Sequence, residues 1–117
     1  MAKVLLLDNQ THMLELLRSK FEVEGFEVLA CESGEEGVAV AERELPDLIV
    51  LDERLQDADG TFVSERLQAS ELAGEIPVIL LTSRASEGGA GKKDGNSQAV
   101  QMPFRPSQLM ALVRENL

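Results

Sequence analysis

A single cysteine, Cys31, stands in the whole chain of 117 residues. That excludes an intrachain disulfide and any metal site built from several thiolates. No apolar stretch approaches the roughly 20 residues needed to cross a bilayer. From Met1 the chain runs through Lys3 straight into an apolar segment, with no signal-peptide core or cleavage site. A cytoplasmic protein with no membrane partner is the expectation. Basic residues are also scarce: 11 Lys and Arg against 21 Asp and Glu leave a formal net charge of −10. Such a surface is repelled by nucleic acid, so direct binding to it is not expected, whereas a basic protein or a cation fits. Internal repeats and long linkers are lacking too, and residues 1–117 read as one domain of common size.

What is present is organised around Pro46 to Gly60, PDLIVLDERLQDADG. Leu48, Ile49, Val50 and Leu51 form an unbroken apolar run of the kind buried on both faces of a parallel sheet. The run ends in Asp52, where open α/β sheets place their ligands. A polar segment with Asp57 and Asp59 follows and closes at Gly60, a natural turn residue. Lys3 to Asp8, KVLLLD, repeats the design, and VILLT after Pro77 ends in Thr82.

Between these runs lie helical patterns. Thr11 is read as the N-cap of a helix whose core stripe is Leu14, Leu17 and Phe21, with Gly25 just past its end. His12, in its first turn, is read as an exposed surface residue. Phe26 to Cys31 alternates at its start and suits an edge strand, with Cys31 as a small core residue. Ser33 and Glu36 have capping-box spacing for a helix running to about Glu44. Thr61 is read as the cap of a third helix with Phe62, Val63 and Leu67 on its apolar side, ending at Gly74. Gly88, Gly89, Gly91 and Gly95 each cost a helix roughly 1 kcal/mol relative to alanine. Glu87 to Ser97 is therefore expected to be irregular, and the fourth helix short or irregular. A weak edge strand, Ala99 to Met102, and a last helix opened by Pro106, with Leu109, Leu112 and Val113 buried, complete the chain. The alternation predicts an α/β fold: a flavodoxin-like, doubly wound, five-stranded parallel sheet of order 2-1-3-4-5. Asp8 and Asp52 then meet at the switch point, with Thr82 on the next strand.

Two carboxylates in one cleft repel each other and stay ionised only when a cation joins them. Mg2+ suits one or two carboxylates completed by carbonyl oxygens and water. A carboxylate beside such an ion can attack phosphorus and form an aspartyl phosphate, and a neighbouring hydroxyl can bond a phosphoryl oxygen. Flavin binding on the same topology is disfavoured, because no phosphate-cradling loop follows the first strand.

Over nearly its whole length the sequence resembles the receiver domain of two-component response regulators. The resemblance rests on KVLLLD with Asp8, PDLIVLDERLQDADG with Asp52 and Gly60, IPVILLT with Thr82, and PFRPSQL. It implies that Asp52 accepts phosphate from a histidine kinase or phosphotransfer protein in a phosphorelay. It also implies that Asp8 and the residue at Asn9 hold Mg2+ together with Asp52 and the backbone carbonyl of Arg54, and that Thr82 contacts the phosphoryl group and signals its presence. Output is expected through contact with a downstream protein. The domain would be no enzyme in the ordinary sense, at most catalysing its own phosphotransfer and dephosphorylation.

The departures are specific. Asn9 replaces a second acid, so Mg2+ is expected to bind weakly, or through water at that residue. Met102 replaces the family's lysine, Ala99 stands where an aromatic switch residue is usual, and Gln56 replaces a proline. There is no tyrosine anywhere to supply the aromatic switch. Arg54 and Arg84 are candidate substitutes for the missing lysine, with one of them expected to turn toward Asp8 or Asp52. The alternative function is a pseudo-receiver, an interaction module that does not depend on phosphorylation.

Overall fold

The structure, a computed structural model, describes residues 1–83, 93–94 and 96–117. Among the described residues the elements are, in chain order, β1 (Lys3–Leu7), α1 (Thr11–Val23), β2 (Glu27–Cys31), α2 (Gly34–Glu44), β3 (Leu48–Asp52), α3 (Gly60–Gln68), β4 (Val78–Thr82), β5 (Lys93–Asp94), β6 (Ser97–Gln101) and α4 (Pro106–Glu115). The sheet order is β2-β1-β3-β4-β6-β5. Five of its strands are parallel, in the expected 2-1-3-4-5 order. The sixth, β5, is a two-residue strand antiparallel to β6 that the sequence pattern did not announce.

Each apolar run splits between two cores, because successive strand residues point to opposite faces. Val4, Leu6, Leu48, Val50, Ile79 and Leu81 pack under α1 and α4 with Leu17, Phe21, Leu109 and Val113. Leu5, Leu7, Ile49, Leu51 and Val78 pack under α2 and α3 with Val38, Ala41, Val63 and Leu67. A strand covered on both sides has no polar positions to alternate, which is why β1, β3 and β4 read as unbroken hydrophobic segments. Cys31 is buried, and burial pushes its thiol up to about 12, so it behaves as a small apolar side chain.

Several local expectations need correction. The N-cap of α1 is Gln10, not Thr11: the Leu14 N–H bonds the Gln10 carbonyl, closing the first turn one residue earlier. The cap of α3 is Asp59, whose Oδ1 accepts from Thr61 N at 2.8 Å. Phe62 is 56% exposed and outside the core, and α3 ends at Gln68 rather than Gly74, which lies in the following turn. The last parallel strand begins at Ser97, two residues before the expected start. Met110, not assigned to the core from the sequence, is buried there, while Leu112 is only partly buried. The Ser33 cap stands, its hydroxyl accepting from Glu36 N at 3.2 Å. Most of the expected irregular segment Glu87 to Ser97, and with it the fourth helix, lies outside the described residues. Lys93–Asp94 and Ser97 within it are strand.

Candidate functional site

Strand register builds the site. Leu7 pairs with Leu51 between the neighbouring parallel strands β1 and β3, so the next residue of each, Asp8 and Asp52, emerge together at their carboxyl ends. Thr82 ends β4 on the other side of β3. The three expected residues are therefore brought to one end of the sheet, and all are buried: Asp8 is 1%, Asp52 2% and Thr82 6% exposed.

Both aspartates are oriented in the same way. Asp8 Oδ1 accepts from Gln10 N at 2.8 Å, and Asp52 Oδ1 accepts from Arg54 N at 2.9 Å. An Asp that bonds its own backbone two residues on is a self-made turn, and it aims the carboxylate without help from elsewhere. The second oxygen of Asp8, Oδ2, is buried with no hydrogen-bond partner. A buried acceptor left in that state costs free energy. Its carboxyl is accordingly pushed up to about 7, chiefly by burial and further by the facing Asp52, against the pull of the Gln10 N–H.

This donor set fits a hard divalent ion. An orphaned carboxylate oxygen and a facing carboxylate are what Mg2+ satisfies, with carbonyl and water oxygens for the remaining positions. Among the described residues no cluster of three or more His, Cys, Asp or Glu side chains is placed to hold a metal ion, so an ion at the two acids depends on carbonyl and water oxygens for its other positions.

The loop that follows Asp52 is tied down at several points. Gly60 N donates to Glu53 O at 2.7 Å, Leu55 N to Ala58 O at 3.1 Å, and Gln56 N to Glu32 O at 3.2 Å. Asp57, read from the sequence only as part of an acidic turn, accepts from Gly34 N at 2.6 Å and Glu35 N at 3.1 Å, which holds its carboxyl below the ordinary range. It thus clamps the loop to the positive end of α2.

Asn9 and His12 are exposed. Met102 is half-buried and packs against the α1/α4 core. It lines a cavity of about 590 Å3 with Met13, Leu17, Phe104 and Met110, and Arg54 and Ser83 complete part of the wall. Methionine here turns to apolar neighbours and brings no charge to the acids. The exposed Arg54 side chain forms no ion pair with either aspartate among the described residues, although its charge is the least of the influences on Asp8. Arg84 lies outside the described residues. Ala99, half-buried, pairs in register with Leu80.

One site residue escaped sequence reasoning. Asp52 pairs with Leu81, so Glu53 comes level with Thr82. Glu53 is 7% exposed, and its Oε2 accepts from the Thr82 hydroxyl at 2.7 Å. The signal was available only through that register, since the chain distance of 29 residues hides it.

The model of the response regulator receiver domain matches residues 4–114. A phosphate regulon transcriptional regulatory protein of Pseudomonas aeruginosa is 31% identical over 113 residues, 95% of this chain and 49% of the relative. An alkaline phosphatase synthesis transcriptional regulatory protein of Bacillus subtilis is 33% identical over 114 residues, 96% of this chain and 47% of the relative. The chain thus spans about half the length of the curated relatives it matches. A putative response regulator of Chloroflexus aurantiacus has the same fold at TM-score 0.83 and 26% identity, covering 98% of this chain and 96% of that one. The receiver domain of a sensor histidine kinase from Pseudomonas aeruginosa, solved with magnesium coordinated in its active site cleft, superposes at TM-score 0.83 and 24% identity, covering 97% of this chain and 95% of that one.

Proposed function

This chain belongs to the response regulator receiver domain family, and from that premise we propose that Asp52 accepts a phosphoryl group from a histidine kinase or phosphotransfer protein. The observation that carries the reading is the pair of buried, backbone-aimed carboxylates, one with an orphaned oxygen, at the switch point of the sheet. One oxygen of Asp52 attacks phosphorus; the bond from phosphorus to the donor's imidazole nitrogen breaks, and the imidazole leaves with the electron pair. Asp8, Asp52 and the Arg54 carbonyl would hold Mg2+, with Asn9 contributing weakly or through water, and the chemistry an ion bound there would supply is neutralisation of the charge between the acids and the phosphoryl oxygens. Thr82 contacts the phosphoryl group and transmits its presence. The domain is a signalling unit, catalysing at most its own phosphotransfer and dephosphorylation.

Output passes through contact with another protein or another part of a longer chain, in a cytoplasmic setting. No helix among the described residues is long and apolar enough to cross a membrane. The relatives in the curated set are named transcriptional regulators. With a net charge of −10, this domain itself is not the part that meets DNA. Incubation with acetyl phosphate and Mg2+ should shift the mass of the wild type but not of Asp52→Ala. No shift in either, with partner binding intact in Asp52→Ala, would instead favour a phosphorylation-independent interaction module. Met102 on its apolar wall is the observation favouring that second reading.

Two experiments probe the altered chemistry. Asn9→Asp adds a charge beside the ion and is expected to tighten Mg2+ about tenfold, the equivalent of roughly 1.4 kcal/mol. Equal affinities in a Mg2+ titration would contradict the role given to Asn9. Among the described residues Arg54 pairs with neither aspartate, so the replacement we propose for the lysine absent at Met102, by Arg54 or Arg84, is toward an added phosphoryl group, whose oxygens a guanidinium engages as a planar fork. Arg54→Ala and Arg84→Ala together are expected to change phosphoryl lifetime several-fold; an unchanged decay rate would remove both from the site.

A further inference from the structure

Glu53 is a buried acid with no part in the phosphotransfer described above. Its backbone is fixed on both sides, with its N–H on Leu81 O at 3.0 Å and its carbonyl on Gly60 N at 2.7 Å. Among the described residues its side chain accepts from both Thr82 and Ser83. Oε2 takes the Thr82 hydroxyl at 2.7 Å; Oε1 takes the Ser83 N–H at 2.9 Å and the Ser83 hydroxyl at 2.5 Å. Hydrogen bonds to an ionised acceptor are the shorter and stronger kind.

A hydroxyl has one proton to donate. That of Thr82 goes to Glu53. A phosphoryl group on Asp52 would need the same proton to be sensed by Thr82. We propose that Glu53 is a positioning residue that competes with phosphorylated Asp52 for the Thr82 hydroxyl and so holds back the response of Thr82 to phosphorylation. The inference rests on Asp52 being the phosphoacceptor. Because Ser83 is bound to the same carboxylate, drawing Thr82 away also strains the two bonds that Ser83 makes to Glu53. Glu53 therefore sets a threshold: the energy of phosphoryl contact must exceed that of the existing hydrogen bond before β4 signals.

The test uses the full chain with Mg2+ and beryllofluoride, a phosphoryl analogue, and reads the Thr82 methyl signal by NMR. Glu53→Ala is expected to reach half-saturation at about tenfold lower beryllofluoride, the scale set by one hydrogen bond to a charged group. Its Thr82 methyl should also move further at saturation. Glu53→Gln, which keeps the shape and an acceptor but loses the charge, should fall between Glu53→Ala and wild type. In a Thr82→Val background, Glu53→Ala should change nothing. Unchanged half-saturation and methyl displacement in Glu53→Ala would overturn the inference. So would a gain that persists with Thr82→Val, because Glu53 would then act on the anion by charge alone. If no variant binds beryllofluoride, the phosphoacceptor reading falls, and the competition is judged on the free protein. There the Thr82 hydroxyl proton should exchange with water more slowly in wild type than in Glu53→Ala, and equal exchange overturns the hold itself.

Discussion

Replacing Asp8 with asparagine is expected to stabilise the metal-free protein at pH 8 by on the order of 2–4 kcal/mol, and to abolish its stabilisation by Mg2+. The carboxyl titrates at 3.8 in the unfolded chain and at about 7 in the folded one. Between those values the folded state keeps a proton that the unfolded state has lost. Stability therefore falls as pH rises from about 4 to about 7 and levels off above, where the full cost of a buried charge facing Asp52 is present. Asparagine keeps the oxygen that accepts from Gln10 and offers Asp52 a donor in place of a like charge. Glu44 and Asp57 have lowered pKa values and act in the opposite sense, losing their contribution as pH falls. The useful quantity is thus the difference between wild type and Asp8→Asn, measured by denaturant unfolding at pH 4, 6 and 8 with a chelator present. It should be near zero at pH 4 and largest at pH 8. A constant difference across that range would remove the buried proton from the account.

Gly60→Ala is expected to be the most damaging small substitution near the site, costing about 3 kcal/mol by overpacking. A Cβ at this position would lie 2.3 Å from Asp52 O, 2.8 Å from Glu53 Cα and 3.0 Å from Asp52 C. All three are backbone atoms of the strand end that carries Asp52, and Gly60 is itself bonded to Glu53 O. The strand end and the start of α3 must move apart, so phosphoryl uptake should fall along with stability. Gly37→Ala is the comparison: the atoms its Cβ would meet belong to the side chain of the buried Leu7 and not to backbone, so the strand end at Asp52 need not move. If Gly60→Ala unfolds no more readily than Gly37→Ala, the close approach at Gly60 does not constrain the site.

These two positions also show what a sequence can carry. Asp8, Asp52 and Thr82 were legible because each follows an apolar run, and an unbroken run of that length identifies a strand covered on both faces. The sheet order followed from three wholly apolar strands and two weaker ones. Helix starts were less legible where two capping residues stand near each other: Asp59 and Thr61 both qualify by type, and the Val63 N–H on Asp59 O decides between them. Asp8, by taking the Gln10 N–H, participates in an earlier start of α1 than Thr11 suggested. Phe62 has helical spacing but sits on the open side of α3. Glu53 was hidden for a different reason. Its partner is set by the register between β3 and β4, a long-range property that no local pattern encodes.

Locating the phosphoryl group tests directly whether Asp52 is the phosphoacceptor. The protein is incubated with acetyl phosphate and Mg2+, treated with borohydride, which reduces an aspartyl phosphate to homoserine, and mapped by tandem mass spectrometry. The account predicts homoserine at position 52 alone, dependent on Mg2+ and lost in Asp52→Asn. Homoserine at another acid, or none at position 52 in the wild type, would contradict it.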